Sequence, residues 1–188
     1  MKRLLPVVAL ICTVLYPVIL YLTHERGGAR IVALFLAIVY LARTILLRDS
    51  SARLYQVGSV LLITFLLFSA LAKNETLVLF VPALATFNVL LLFLYTLFVP
   101  PSFIEVIAMR MESSLNAKAR EYCRRVTIVW CVFLSLNLAI ALWTALYSSL
   151  ETWTFYNGFL SYVLTAVLFA SEYAYRQVYR RRYGASEI

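Results

Sequence analysis

Six apolar runs, each close to the thickness of a bilayer, constrain this chain more than any motif in it. They cover residues 4–23, 31–47, 54–72, 77–98, 127–147 and 155–175. A helix rises 1.5 Å per residue, so about 20 residues cross a hydrocarbon core roughly 30 Å thick. The second run is short and needs flanking residues or a thinned bilayer. The runs are continuous rather than striped, the pattern of a polytopic membrane protein. Composition agrees, with 63% hydrophobic and 14% charged residues, far less charge than a soluble domain carries. The expected fold is all-α, a bundle of six transmembrane helices forming a single domain over residues 1–188. The first run is expected to be retained rather than cleaved. Its apolar core is long for a signal peptide and ends at "THERGG" with no small-x-small site.

The formal charge of +8 does not point to nucleic acid. The basic residues cluster at the ends of the apolar runs, which is how membrane topology is encoded. With the N-terminus inside, the inner side holds 14 of the 17 Lys and Arg residues, among them Lys2, Arg3, Arg43, Lys118 and Arg180. Only Arg26, Arg30 and Lys73 face outward. The positive-inside rule therefore places both termini and the long loop in the cytoplasm. The basic tail "YRQVYRRRYGASEI" would attract anionic headgroups at about 1 kcal/mol per cation.

One inner loop is long. "FVPPSFIE" ends the fourth run, and Ser102 with Glu105 forms a capping-box pattern that starts a new helix. Phe103, Ile104, Ile107, Met111, Leu115 and Tyr122 gather on one arc of it. An interfacial amphipathic helix over about 102–121 is expected on the inner leaflet. A connector helix packed on the ends of the spans is the equal alternative.

Little in the chain can build a reaction centre. Cys12, Cys123 and Cys131 form no C-x-x-C, and His24 is the only histidine, so a zinc site lacks ligands. The cysteines read as small apolar fillers, although Cys123, beside two arginines, is also open to palmitoylation or redox chemistry. There is no G-x-G-x-x-G, Walker loop, H-E-x-x-H or G-x-S-x-G, and no cofactor is expected. The polar residues inside the runs carry more information. Asn88 and Asn137 stand at the middles of two consecutive antiparallel spans and are expected to bond each other. They read as packing glue, with the lining of a polar path as the alternative. Glu172 is the one carboxylate clearly inside a run. Arg176 follows it at i+4, and Arg124 or Arg125 on the preceding span is expected to pair with it. Arg124, Arg125, Glu172, Arg176, Asn88 and Asn137 together make the candidate charged and polar patch.

Three stretches carry a resemblance: "PPSFIE", "YCRRVTIVWCVFLSLNLAIALWTAL" and "WTFYNGFLSYVLTAVLFASEYAYR". They resemble a family of small bacterial inner-membrane proteins with the pattern R-R-V-T-x-x-W-C, a mid-span asparagine, T-A-L, Y-N-G, S-Y and F-x-x-E-Y. The matching residues include Arg124, Arg125, Thr127, Trp130, Cys131, Asn137, Thr144, Tyr156, Asn157, Gly158, Ser161, Tyr162, Phe169, Glu172 and Tyr173. The resemblance covers about the C-terminal half. Members are often encoded among genes for aryl-polyene or related fatty-acid-like biosynthesis. The resemblance therefore implies acyl carrier proteins and other acyl-assembly proteins as partners, but supplies no activity. The expected function is a non-enzymatic membrane accessory that anchors such an assembly line or hands on its lipid-like product. A small transporter or flippase subunit is the alternative, and an intramembrane enzyme around Glu172 the third.

Overall fold

A computed structural model describes residues 15–23, 28–46, 53–72, 75–111 and 115–183. Among them the chain is helical throughout, with no strand. The helices are α1 (residues 15–23), α2 (Gly28–Leu46), α3 (Arg53–Leu71), α4 (Val81–Phe98), α5 (Phe103–Met111), α6 (Ala117–Tyr147), α7 (Leu150–Phe155) and α8 (Ser161–Tyr183). A 3-10 helix, Glu75–Phe80, runs into α4, and a π turn, Tyr156–Leu160, joins α7 to α8. Three helical stretches are long and apolar enough to cross a membrane: Thr76–Phe98, Ala117–Tyr147 and Leu150–Val178. Gly28–Leu41 and Val60–Leu71 are shorter apolar helices. Most of the first expected span, along with Cys12 and His24, lies outside the described residues. Outward side chains such as Ile31, Leu71, Phe98 and Leu136 are apolar and exposed. Such a surface is stable in hydrocarbon and not in water, as expected of a membrane protein.

Two clusters form the interior. In the first, α2 buries Ala29, Val32, Ala33, Leu36, Ala37 and Tyr40, spaced at three and four residues on one face. The alanines let α3 approach closely, and Leu62, Ile63, Leu66 and Ala70 fill the seam. Tyr16 and Leu20 of α1 and Trp153 of α7 complete this cluster. The second cluster joins α4, α5 and α6 through Leu90, Phe93, Ile104, Cys123, Trp130, Cys131 and Leu134.

Local chemistry sets the helix ends. Pro82 sits in the first turn of α4, where no amide donor is needed. The expected single helix over 102–121 is instead two helices. Asn116, inside that stretch, is the N-cap of α6, accepting from the Ala119 amide at 2.8 Å. A capping side chain needs non-helical backbone at its own position, so one helix cannot run through it. The fifth expected span therefore begins ten residues early, within a 31-residue helix about 46 Å long. The α5 stub packs on α6 and buries Ile104 and Glu105, as the connector alternative required. Similarly, Ser149 caps α7 through the Thr152 amide at 3.3 Å. The stretch expected as an outer loop is thus already helical at Leu150.

Candidate functional site

The capping box at the start of α5 forms on one side only. The Glu105 carboxylate accepts from the Ser102 amide at 3.2 Å, while the Ser102 hydroxyl makes no hydrogen bond among the described residues. Threonines take over its work. The Phe103 amide donates to Thr96 at 3.0 Å and the Ile104 amide to Thr127 at 3.4 Å. These bonds satisfy otherwise orphaned helix-start donors and fix α5 against both α4 and α6. Glu105 also lies 3.7 Å from Arg120, bracing the start of α6.

Further along α6 the expected charge cluster assembles with different partners. Glu172 accepts two bonds from Arg176, at 3.1 and 2.9 Å. It accepts a third from the Tyr122 hydroxyl at 3.4 Å. Side-chain exposure is 24% for Arg176 and 18% for Glu172, so this pair is largely withdrawn from solvent. Arg125 instead bonds Glu121 on its own helix at 2.6 Å, with both side chains more than 60% exposed. Arg124 points outward and is exposed. The expected pairing of Arg124 or Arg125 with Glu172 is thus replaced. An i,i+4 partner is already at hand within each helix, and reaching it needs no bridge across the bundle. Tyr122, from α6, supplies the interhelical link.

At mid-depth Asn137 does not pair with Asn88. Its carbonyl oxygen accepts from the Tyr156 hydroxyl at 2.9 Å, and its amide donates to Thr86 at 3.4 Å. Asn88, half-buried on α4, lies two positions beyond the residue that is used. One turn outward, Asn157 is buried and donates to Thr144 at 3.1 Å and to the Trp153 carbonyl at 3.0 Å. Tyr156 and Asn157 both lie in the π turn. Its extra residue turns two successive side chains toward α6, an arrangement that a period of 3.6 does not announce. Gly158 follows because a Cβ there would stand 3.3 Å from Cβ of Pro17. Trp153, fully buried, donates to the Leu79 carbonyl at 3.0 Å. Cys123 and Cys131 are buried free thiols, which fits the filler reading.

Below these bonds α6 and α8 part, and a cavity of about 540 Å³ opens between them. Its α6 wall places Lys118, Glu121, Tyr122 and Arg125 toward the helix start, then Val126, Val129 and Trp130. The α8 wall is Leu168, Ser171, Glu172 and Tyr175. Two aromatic contacts span it: Trp130 on Phe169, with ring centroids 4.4 Å apart, and Tyr122 parallel to Tyr175 at 6.1 Å. Comparison with protein-family profiles, curated proteins and solved structures finds no match for this chain.

Proposed function

We propose that the protein is a non-enzymatic accessory of the bacterial inner membrane, with six spans and both termini cytoplasmic. It would organise a cytoplasmic acyl or aryl-polyene assembly line at the membrane. The observation that carries this reading is the start of α6. The helix exceeds the roughly 30 Å of hydrocarbon by several turns. The excess holds Lys118, Arg120, Arg124 and Arg125, all exposed, and is braced by α5 through Glu105 and Arg120. A rigid basic ledge suits a small acidic partner such as an acyl carrier protein, which it would steer and orient by charge. The resemblance in the C-terminal half points to the same partner class. The bonding of the polar groups supports an accessory over the alternatives. Asn137 is bonded at both ends of its amide, which leaves it poorly suited to line a transport path. Glu172 is committed to Arg176 and Tyr122, which leaves it a poor free base.

Purified protein titrated with the acyl carrier protein of the same cell tests this. Arg110→Glu with Arg124→Glu removes exposed cations without touching the paired ones. Binding that falls with salt, and weakens roughly tenfold or more in the double variant, supports the reading. Absence of binding to the unaltered protein overturns it. Reporter fusions after Ile188 should report cytoplasm, and an outside C-terminus would overturn the topology.

A further inference from the structure

We propose that the cavity between α6 and α8 binds an uncharged single-chain lipid whose polar end is a hydroxyl, in chemical class a long-chain alcohol or a monoacylglycerol. Recognition uses Ser171 and the apolar wall, not the basic ledge of α6 on which the accessory reading stands. The first support is charge. The lining holds Lys118 and Arg125 against Glu121 and Glu172, so its charges balance. Each of them is also engaged. Arg125 holds Glu121, Arg176 and Tyr122 hold Glu172, and Lys118 has a partner as well. A charged head would have to break one of these pairs or enter a wall with no opposite charge to spare, whereas an uncharged head meets neither cost.

The second support is the apolar wall. The α6 lining residues follow one another at steps of three, one, three, one, three and one, so they form one continuous helical stripe. Its far end is Val126, Val129 and Trp130, and Leu168 faces them from α8. That end takes a hydrocarbon chain. One turn along α8 from Leu168 stands Ser171, exposed on the cavity wall. Its hydroxyl donates to the Leu168 carbonyl at 2.8 Å. With that hydrogen spent, Ser171 presents lone pairs, so the polar end that matches it is a donor. An alcohol supplies one and an alkyl ester does not. Size is the third support. A volume of about 540 Å³ lies within the roughly 300–1,000 Å³ of small-molecule sites. The Trp130–Phe169 and Tyr122–Tyr175 contacts narrow the gap to a slot, which favours one chain over the two of a phospholipid.

The test uses the full chain in detergent micelles, with a hexadecanol carrying a mid-chain diazirine as the probe. Photolabelling should fall on the peptides holding Val129, Trp130 and Leu168. Unlabelled hexadecanol and monopalmitoylglycerol should suppress it. Methyl palmitate, palmitate and hexadecylamine should suppress it less, and a diacyl phospholipid least. Ser171→Trp and Val129→Trp fill the cavity from either wall at exposed positions and should each lower labelling about tenfold. Ser171→Ala should abolish the advantage of hexadecanol over methyl palmitate, and this mild change decides the matter even if a tryptophan variant fails to fold. Arg110→Glu with Arg124→Glu, which lie outside the cavity lining, should leave labelling unchanged, so the loss of carrier binding and the loss of lipid binding are separate results. Labelling that spreads over outward Val132 and Leu136, ignores the folded filling variants, or is suppressed as well by palmitate or hexadecylamine as by hexadecanol would overturn the proposal.

Discussion

Around α2 and α3 the interior is closed by small side chains, whereas around α6 and α8 it is bridged by large ones. The first region meets through Ala29, Ala33, Ala37 and Ala70, each no more than 3% exposed. In the second, Trp130, Phe169, Tyr122 and Tyr175 reach across a gap. Polar bonds from Tyr122, Asn137, Tyr156 and Asn157 fix the geometry there. In hydrocarbon no hydrophobic force drives helices together, so close packing and hydrogen bonds must do it. One region uses the first means and the other leans on the second. Close packing leaves no room for a ligand, whereas a bonded framework can stand open and stay in register.

The comparison can be tested by substitution, with unfolding of the purified protein as the measurement. Trp153→Ala should have the largest effect, about 3–5 kcal/mol, because it empties the closed region and removes the bond to the Leu79 carbonyl. A loss below 1 kcal/mol would show that this region is not close-packed. Arg176→Gln should come next, at about 1.5–3 kcal/mol, since it strips a largely buried carboxylate of its cation. Asn137→Leu should cost about 0.6–2 kcal/mol, and Asn88→Leu distinctly less. Equal losses for the two asparagines would contradict the bonding described at mid-depth. Arg125→Gln should be smallest, about 0.3–0.5 kcal/mol, as for other exposed i,i+4 pairs. If it matched Arg176→Gln, the two ion pairs would not differ in burial as described.

The apolar runs made the helices legible, because hydropathy follows burial in lipid. The helix ends were less so. Residues 117–126 include Lys118, Arg120, Glu121, Arg124 and Arg125, so hydropathy alone stops α6 near Thr127, and only the capping preference of Asn116 marks its true start. The Glu172–Arg176 pair was legible from i+4 spacing. The same spacing links Glu121 to Arg125, a local pairing that competes with one across the bundle. Tyr156 could not be found as the partner of Asn137 from equal depth and even helical periodicity. The π turn that aims it breaks that periodicity, and the Asn157-Gly158 pair inside it is a local sign of the break that does not tell which side chain it turns inward.

The contact between Tyr16 and Trp153, ring centroids 6.1 Å apart and nearly edge-on, has a consequence for biogenesis. The two rings are roughly 140 residues apart, and a ribosome adds about 5–20 residues per second. For on the order of ten seconds, α1 is in the cell without the indole that covers it. Other apolar surface, from lipid or an insertion factor, must shield Tyr16 and Leu20 in that interval. The first described helix reaches its final neighbours only when α7 emerges, so the closed region is completed late in synthesis.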